Sequence, residues 1–160
     1  MNSDIPDEVD LEEQADAVAD FVEELLGQMD IDAIAEPAQQ GDRFYVDILE
    51  GPPEDLALLI GKHGQTIDAL QYVANAASFR SGAGKPVTID AAGYRERRRT
   101  TLEGIALRAA EQAVTGERVL LEPMTAVERK VVHERLKDVA GVATSSEGTE
   151  PNRYVVVSPA

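Results

Sequence analysis

The sequence predicts an α+β chain made of two small units joined by a long helix. Three observations lead there. Apolar residues recur at helical spacing over 11–28, 65–79, 94–115 and 125–139, and at strand spacing over 31–35, 44–49 and 153–157. The 160 residues, 43% of them hydrophobic, suffice for one domain of common size or two small ones. The charge is also divided. Residues 1–55 hold eighteen Asp/Glu against the single basic residue Arg43, whereas residues 56–160 hold twelve Asp/Glu against fourteen Lys/Arg. The net charge of −15 is therefore a property of the front of the chain. An acidic lead followed by a balanced body with basic clusters fits a body that meets an anion. Acid that merely keeps the protein soluble explains the lead but not the clusters.

Residues 1–10 are polar and acidic, a composition that predicts a disordered tail. Leu11, Ala15, Val18, Phe21, Val22, Leu25 and Leu26 then form a helical stripe that ends near Gln28, with Gly27 helping to stop it. Ile31–Ala35 alternates as a strand, Gln39-Gln40-Gly41-Asp42 reads as a turn, and Phe44–Leu49 as a second strand. Gly51-Pro52-Pro53 breaks the chain, and Pro53 suits the first turn of a short helix running to Ile60. The next helix, Gln65–Phe79, has Ile67, Leu70, Val73, Ala74 and Ala77 as its apolar stripe. Ser81-Gly82-Ala83-Gly84 ends it, and Val87–Ile89 is a third strand. Gly82-Ala83-Gly84-Lys85 is not a nucleotide loop, because that motif needs Gly where Phe79 stands and a hydroxyl where Pro86 stands.

Between the two helices lies Ile60-Gly61-Lys62-His63-Gly64-Gln65-Thr66-Ile67. Glycines let a backbone approach closely, and the helix that follows aims unpaired N–H groups at an anion. Lys62 and His63 can donate to phosphate. A short loop of this kind clamping a nucleic-acid backbone is the KH arrangement, and the stretch closely resembles the KH signature Ile-Gly-x-x-Gly-x-x-Ile. The competing reading is a tight helix–helix turn with a surface lysine. The order helix, strand, strand, helix, helix, strand resembles the type II KH fold, which places residues 11–92 in one domain. The resemblance implies a loop site at Gly61, Lys62, His63 and Gly64, and a groove lined by Ile60, Ile67 and Val87. Plain core is the alternative for those three.

Tyr94 to about Thr115 is a long helix with Leu102, Ile105, Ala106, Ala109 and Ala113 on one face. It opens with Arg95, Arg97, Arg98 and Arg99, which encircle its first turns and can reach a phosphate backbone. A solvated connecting helix is the bland alternative, less comfortable because cations at a helix N-terminus oppose the macrodipole. Arg118–Leu121 is a short strand. A helix follows over Thr125–Val139, capped by Thr125 with Glu128 three residues on, and its buried stripe is Val132, Leu136 and Val139. Arg129 and His133 are neighbours at i and i+4, with Lys130 and Lys137 continuing round that side. Arg153–Val157 is the last strand.

Arg129-Lys130-Val131-Val132-His133 resembles the mark of the small R-3-H (Arg-x-x-x-His) nucleic-acid-binding domain. The pattern gains weight from Leu121-Glu122-Pro123-Met124, Ser146-Glu147-Gly148-Thr149-Glu150-Pro151-Asn152-Arg153 and Tyr94-Arg95-Glu96-Arg97-Arg98-Arg99, which look like the bacterial Jag/KhpB family. The resemblance covers about 31–158 and makes residues 93–160 a linking helix and a small α/β R-3-H domain. It departs at the front, where only the acidic segment stands in place of the Jag domain of many family members.

What the resemblance implies is single-stranded nucleic-acid binding without catalysis, to RNA first and single-stranded DNA second. It also implies a second small KH protein as a partner and a post-transcriptional role tied to growth or cell division. Arg129 would pair with phosphate and His133 with a phosphate or base. Lys130, Lys137 and Arg153 would add charge, and Tyr154 a stacking face. The alternative for His133 is a half-buried structural residue. Protonation of either histidine would strengthen phosphate binding. A different class is an adaptor that recruits a protein through the acidic N-terminus. An enzyme is disfavoured: there is no cysteine, no nucleophile–base pair, and His63 and His133 have no metal-ligand spacing, so neither metal nor cofactor is expected. No apolar run reaches the ~18 residues of a membrane span, and no signal-peptide pattern opens the chain. A cytoplasmic location is the expectation.

Overall fold

The computed structural model describes residues 11–41, 43–80 and 85–160. The acidic segment 1–10, Asp42 of the expected turn, the stretch 81–84 and the side chains of Leu11, Phe79 and Arg80 lie outside them. The chain divides into two compact units, one up to Arg95 and one over Glu96–Ala160.

In the first unit, α1 (Leu11–Gln28), α2 (Pro53–Ile60) and α3 (Gln65–Arg80) accompany a three-stranded sheet of order β1-β2-β3. β1 (Ile34–Gln40) and β2 (Arg43–Leu49) are antiparallel, while β3 (Thr88–Ala91) runs parallel to β2. The stripe of α1 buries Val18, Val22 and Leu26 against Val46, Ile48, Ile67, Leu70 and Ile89. The helix does not stop at Gly27. Asp30 takes the left-handed conformation (φ 55°), the Ile31 N–H returns to Leu26 O at 3.0 Å and the Asp30 N–H to Gly27 O at 3.3 Å. That is a Schellman end with aspartate in the usual glycine position, and Ile31 folds back beside Leu26 in the core.

Two expectations for this unit need correction. The first strand lies at 34–40, not 31–35, so Gln39 and Gln40 of the expected turn belong to it. Pro37 obscured this, yet β1 is an edge strand, where a missing N–H is tolerated. On α3, Val73 is exposed, because the buried face turns instead toward Asn75, a polar residue. Asn75 Nδ2 donates to Val87 O and the Val87 N–H donates to Asn75 Oδ1, both at 2.8 Å. The Ile89 N–H donates to Gln71 Oε1 at 2.9 Å. Side-chain amides of α3 thus take the place of a fourth strand along β3.

The second unit packs α4 (Tyr94–Val114) and α5 (Ala126–Leu136) with an antiparallel sheet of order β4-β6-β5, formed by β4 (Val119–Leu120), β5 (Val142–Glu147) and β6 (Tyr154–Pro159). Leu102, Ala106, Ala109 and Ala113 of α4 meet Val132, Leu136, Val155 and Val157. Val132 and Leu136 of the α5 stripe are buried as their spacing predicts, but the helix ends at Leu136, and Val139, expected within it, lies beyond it and is half-buried. Thr125 and Glu128 form the expected capping box.

Candidate nucleic-acid interface

The Gly61–Gly64 loop is a single 3-10 turn between α2 and α3. Both glycines have positive φ, 70° and 78°. A Cβ on Gly61 would collide with the Thr66 side chain, and one on Gly64 would stand 2.6 Å from the Tyr94 ring. The chain's own packing therefore requires glycine at both positions, whatever binds there. His63 is also left-handed (φ 53°), a conformation in which histidine is enriched among non-glycine residues. Lys62 is exposed, His63 half-buried and Gly64 buried, so Lys62 is the loop's outward cation. Of the expected groove residues, Ile67 and Val87 are 0% and 2% exposed and belong to the core. Ile60 is only partly buried against it.

The arginines that open α4 are largely engaged by the chain itself. Arg95 Nη1 donates to Asp68 at 2.8 Å, its Nη2 to Gln71 at 3.1 Å and its Nε to Ile89 O at 2.9 Å. Arg98 Nε meets Glu128 at 2.7 Å, on the carboxylate that also caps α5. Arg99 lies between Glu96 and Glu103 at 2.6 and 2.9 Å. The side-chain hydrogen bond from Arg99 holds the Glu96 carboxyl below its usual range. Arg97 is exposed. Internal carboxylates answer the cations that the helix dipole disfavours.

In the second unit Arg129 is 6% exposed. Its guanidinium donates to Met124 O and to Glu150 Oε1, each at 2.8 Å. His133 stands between two hydroxyls, with Nδ1 2.7 Å from Thr144 Oγ1 and Nε2 2.8 Å from Ser146 Oγ. Burial, and then the charge of Arg129, push its pKa below the ordinary value. A neutral imidazole, donating through one nitrogen and accepting through the other, fits two hydroxyls that can each do either. Lys130 and Lys137 are exposed, with Lys130 3.7 Å from Glu134. Arg153 is half-buried, and its Nε has no hydrogen-bond partner among the described residues. The Tyr154 ring lies over Gly148, whose Cβ would stand 3.3 Å from it.

Comparison with known proteins matches residues 15–89 to the KH domain of KhpA and KhpB, and residues 100–159 to the R-3-H domain. Proteins named RNA-binding protein KhpB are similar to this chain. The one from Clostridium symbiosum is 36% identical over 89% of this chain and 65% of its own length. Those from Lactiplantibacillus plantarum and Bacillus subtilis are 46% and 42% identical, over 63% and 66% of this chain. The chain belongs to the Jag/KhpB family. It spans 65%, 32% and 52% of the lengths of these three relatives.

In this Jag/KhpB chain, sequence reasoning missed the residues that hold the loop and the sheet edge. Tyr94 packs on Gly64, Thr66 on Gly61, and Gln71 and Asn75 close β3. Apart from Thr66, which is close to Gly61 in sequence, their partners lie 12 or more residues away, so no local spacing reveals them. Among the described residues there is no group of three or more His, Cys, Asp or Glu placed to hold a metal, and no helix is long and apolar enough to cross a membrane.

Proposed function

We propose that this chain is a non-enzymatic protein that binds single-stranded nucleic acid, RNA first, through the Gly61–Gly64 loop. One observation carries the reading: exposed Lys62 rides on a turn whose two glycines are fixed from behind by Thr66 and Tyr94, at the mouth of α3. A rigid turn with an outward cation at a helix N-terminus suits a phosphate. The relatives' name, RNA-binding protein, supports RNA as the polymer. In the second unit the exposed Lys130 and Lys137 are the phosphate contacts, while Arg129 and His133 shape the surface that carries them. Titrating labelled single-stranded RNA, single-stranded DNA and duplex RNA tests this. Single strands should bind and duplex should not; no binding, or preference for duplex, would overturn it.

The KH match is shared by KhpA and KhpB, which supports a second small KH protein as a partner. Family membership supports a post-transcriptional role linked to growth or cell division. The eighteen acidic residues in 1–55 favour a further adaptor role. Removing residues 1–10 should abolish capture of a protein partner and leave RNA affinity unchanged.

A further inference from the structure

We infer that the ring of Tyr72 is the stacking platform for an unpaired base of the strand whose phosphate sits at the Gly61–Gly64 loop. This rests on the binding reading above. Gln65, Asp68, Tyr72 and Ala76 follow at steps of three and four and are all exposed, so they form one face of α3 that begins at the loop. Tyr72 is 77% exposed, the one large aromatic ring in that condition among the described residues. It is eight residues beyond Gly64, about 12 Å along the helix axis. A strand of a few unpaired nucleotides covers that span. The Asp68 carboxylate on the same face is paired with Arg95 at 2.8 Å, so the path is not lined by a bare negative charge.

Among the described residues, two other places for a base are closed. The apolar floor at Ile67 and Val87 is buried. The outer edge of β3 already has its Val87 and Ile89 backbone groups bonded to Asn75, Gln71 and Arg95. An exposed aromatic face, with Val73 beside it at 47% exposure, is open to a base anchored at this loop. Stacking on such a ring tolerates any base. The inferred ligand is therefore a short unpaired segment read with little sequence preference at this position.

The test compares the full chain with Tyr72→Ala and Tyr72→Phe on an unstructured RNA octamer, across a salt series, with circular dichroism confirming the fold. Tyr72→Ala should weaken binding about 5- to 100-fold, the effect of losing one base–aromatic stack. Its salt slope should match wild type, because no phosphate contact is lost, and Tyr72→Phe should bind as wild type. Equal affinity of Tyr72→Ala and wild type, or a Phe variant as weak as Ala, would overturn the stacking role and leave the loop reading standing. Failure of wild type to bind any single strand would overturn both.

Discussion

Arg129 and His133 carry the mark that singled out the second unit, and each faces inward. With two hydrogen bonds from a buried guanidinium, Arg129→Ala should cost about 1.5–3 kcal/mol and lower the unit's Tm by roughly 10 °C, as thermal denaturation would show. Loss of RNA affinity in that variant would follow from lost structure as readily as from a lost contact. His133 adds a pH dependence. Its folded pKa lies below the unfolded value of about 6.5, so the unfolded chain takes up the proton first. The stability due to neutral His133 is therefore present above about pH 6.5 and lost as pH falls below it toward the folded pKa. Denaturant midpoints should drop across that range, and His133→Gln should flatten the drop. Enhancement of binding by a protonated His133 is thereby disfavoured. The identity of the Arg-x-x-x-His pair was legible in the sequence, but its direction was not, because Thr144, Ser146 and Glu150 lie 11 to 21 residues away.

Elements with an uninterrupted apolar period were readable to within a few residues: α1, α4 and α5 bury most of the described residues of the stripes that their spacing predicts. Where the buried face includes a polar residue, the period misleads. Val73 looked like core and is exposed, whereas Asn75 is buried because β3 needs its amide. Asn75→Leu keeps the branched shape and removes both hydrogen bonds to Val87. Leaving that buried N–H and C=O unpaired should cost about 1–3 kcal/mol each at most, read as a lower urea midpoint for the first unit. The loop is equally dependent on its surroundings. Gly64→Ala must place a Cβ against the Tyr94 ring at φ 78°, so it should destabilise the unit even with no ligand present. A Gly64 substitution therefore measures folding, and the exposed Lys62 is the position at which to measure binding.

For the molecule as a whole, a net charge of −15 repels a polyanion, so affinity must come from local contacts. The second unit's arginines are paired at Arg98, Arg99, Arg118 and Arg129. Arg97, Arg108 and Arg135 are exposed alongside the lysines, and Lys62, on the loop itself, is the first phosphate contact to test. The most direct measurement is the salt dependence of single-stranded RNA binding by wild type and by Lys62→Asp/His63→Asp. Aspartate tolerates the left-handed conformation at 63, so the fold should survive. The account predicts a wild-type plot of log K against log salt that falls by about 0.7 for each phosphate contacted, and a double variant that is weaker with a shallower slope. A folded double variant with wild-type affinity and slope would contradict it.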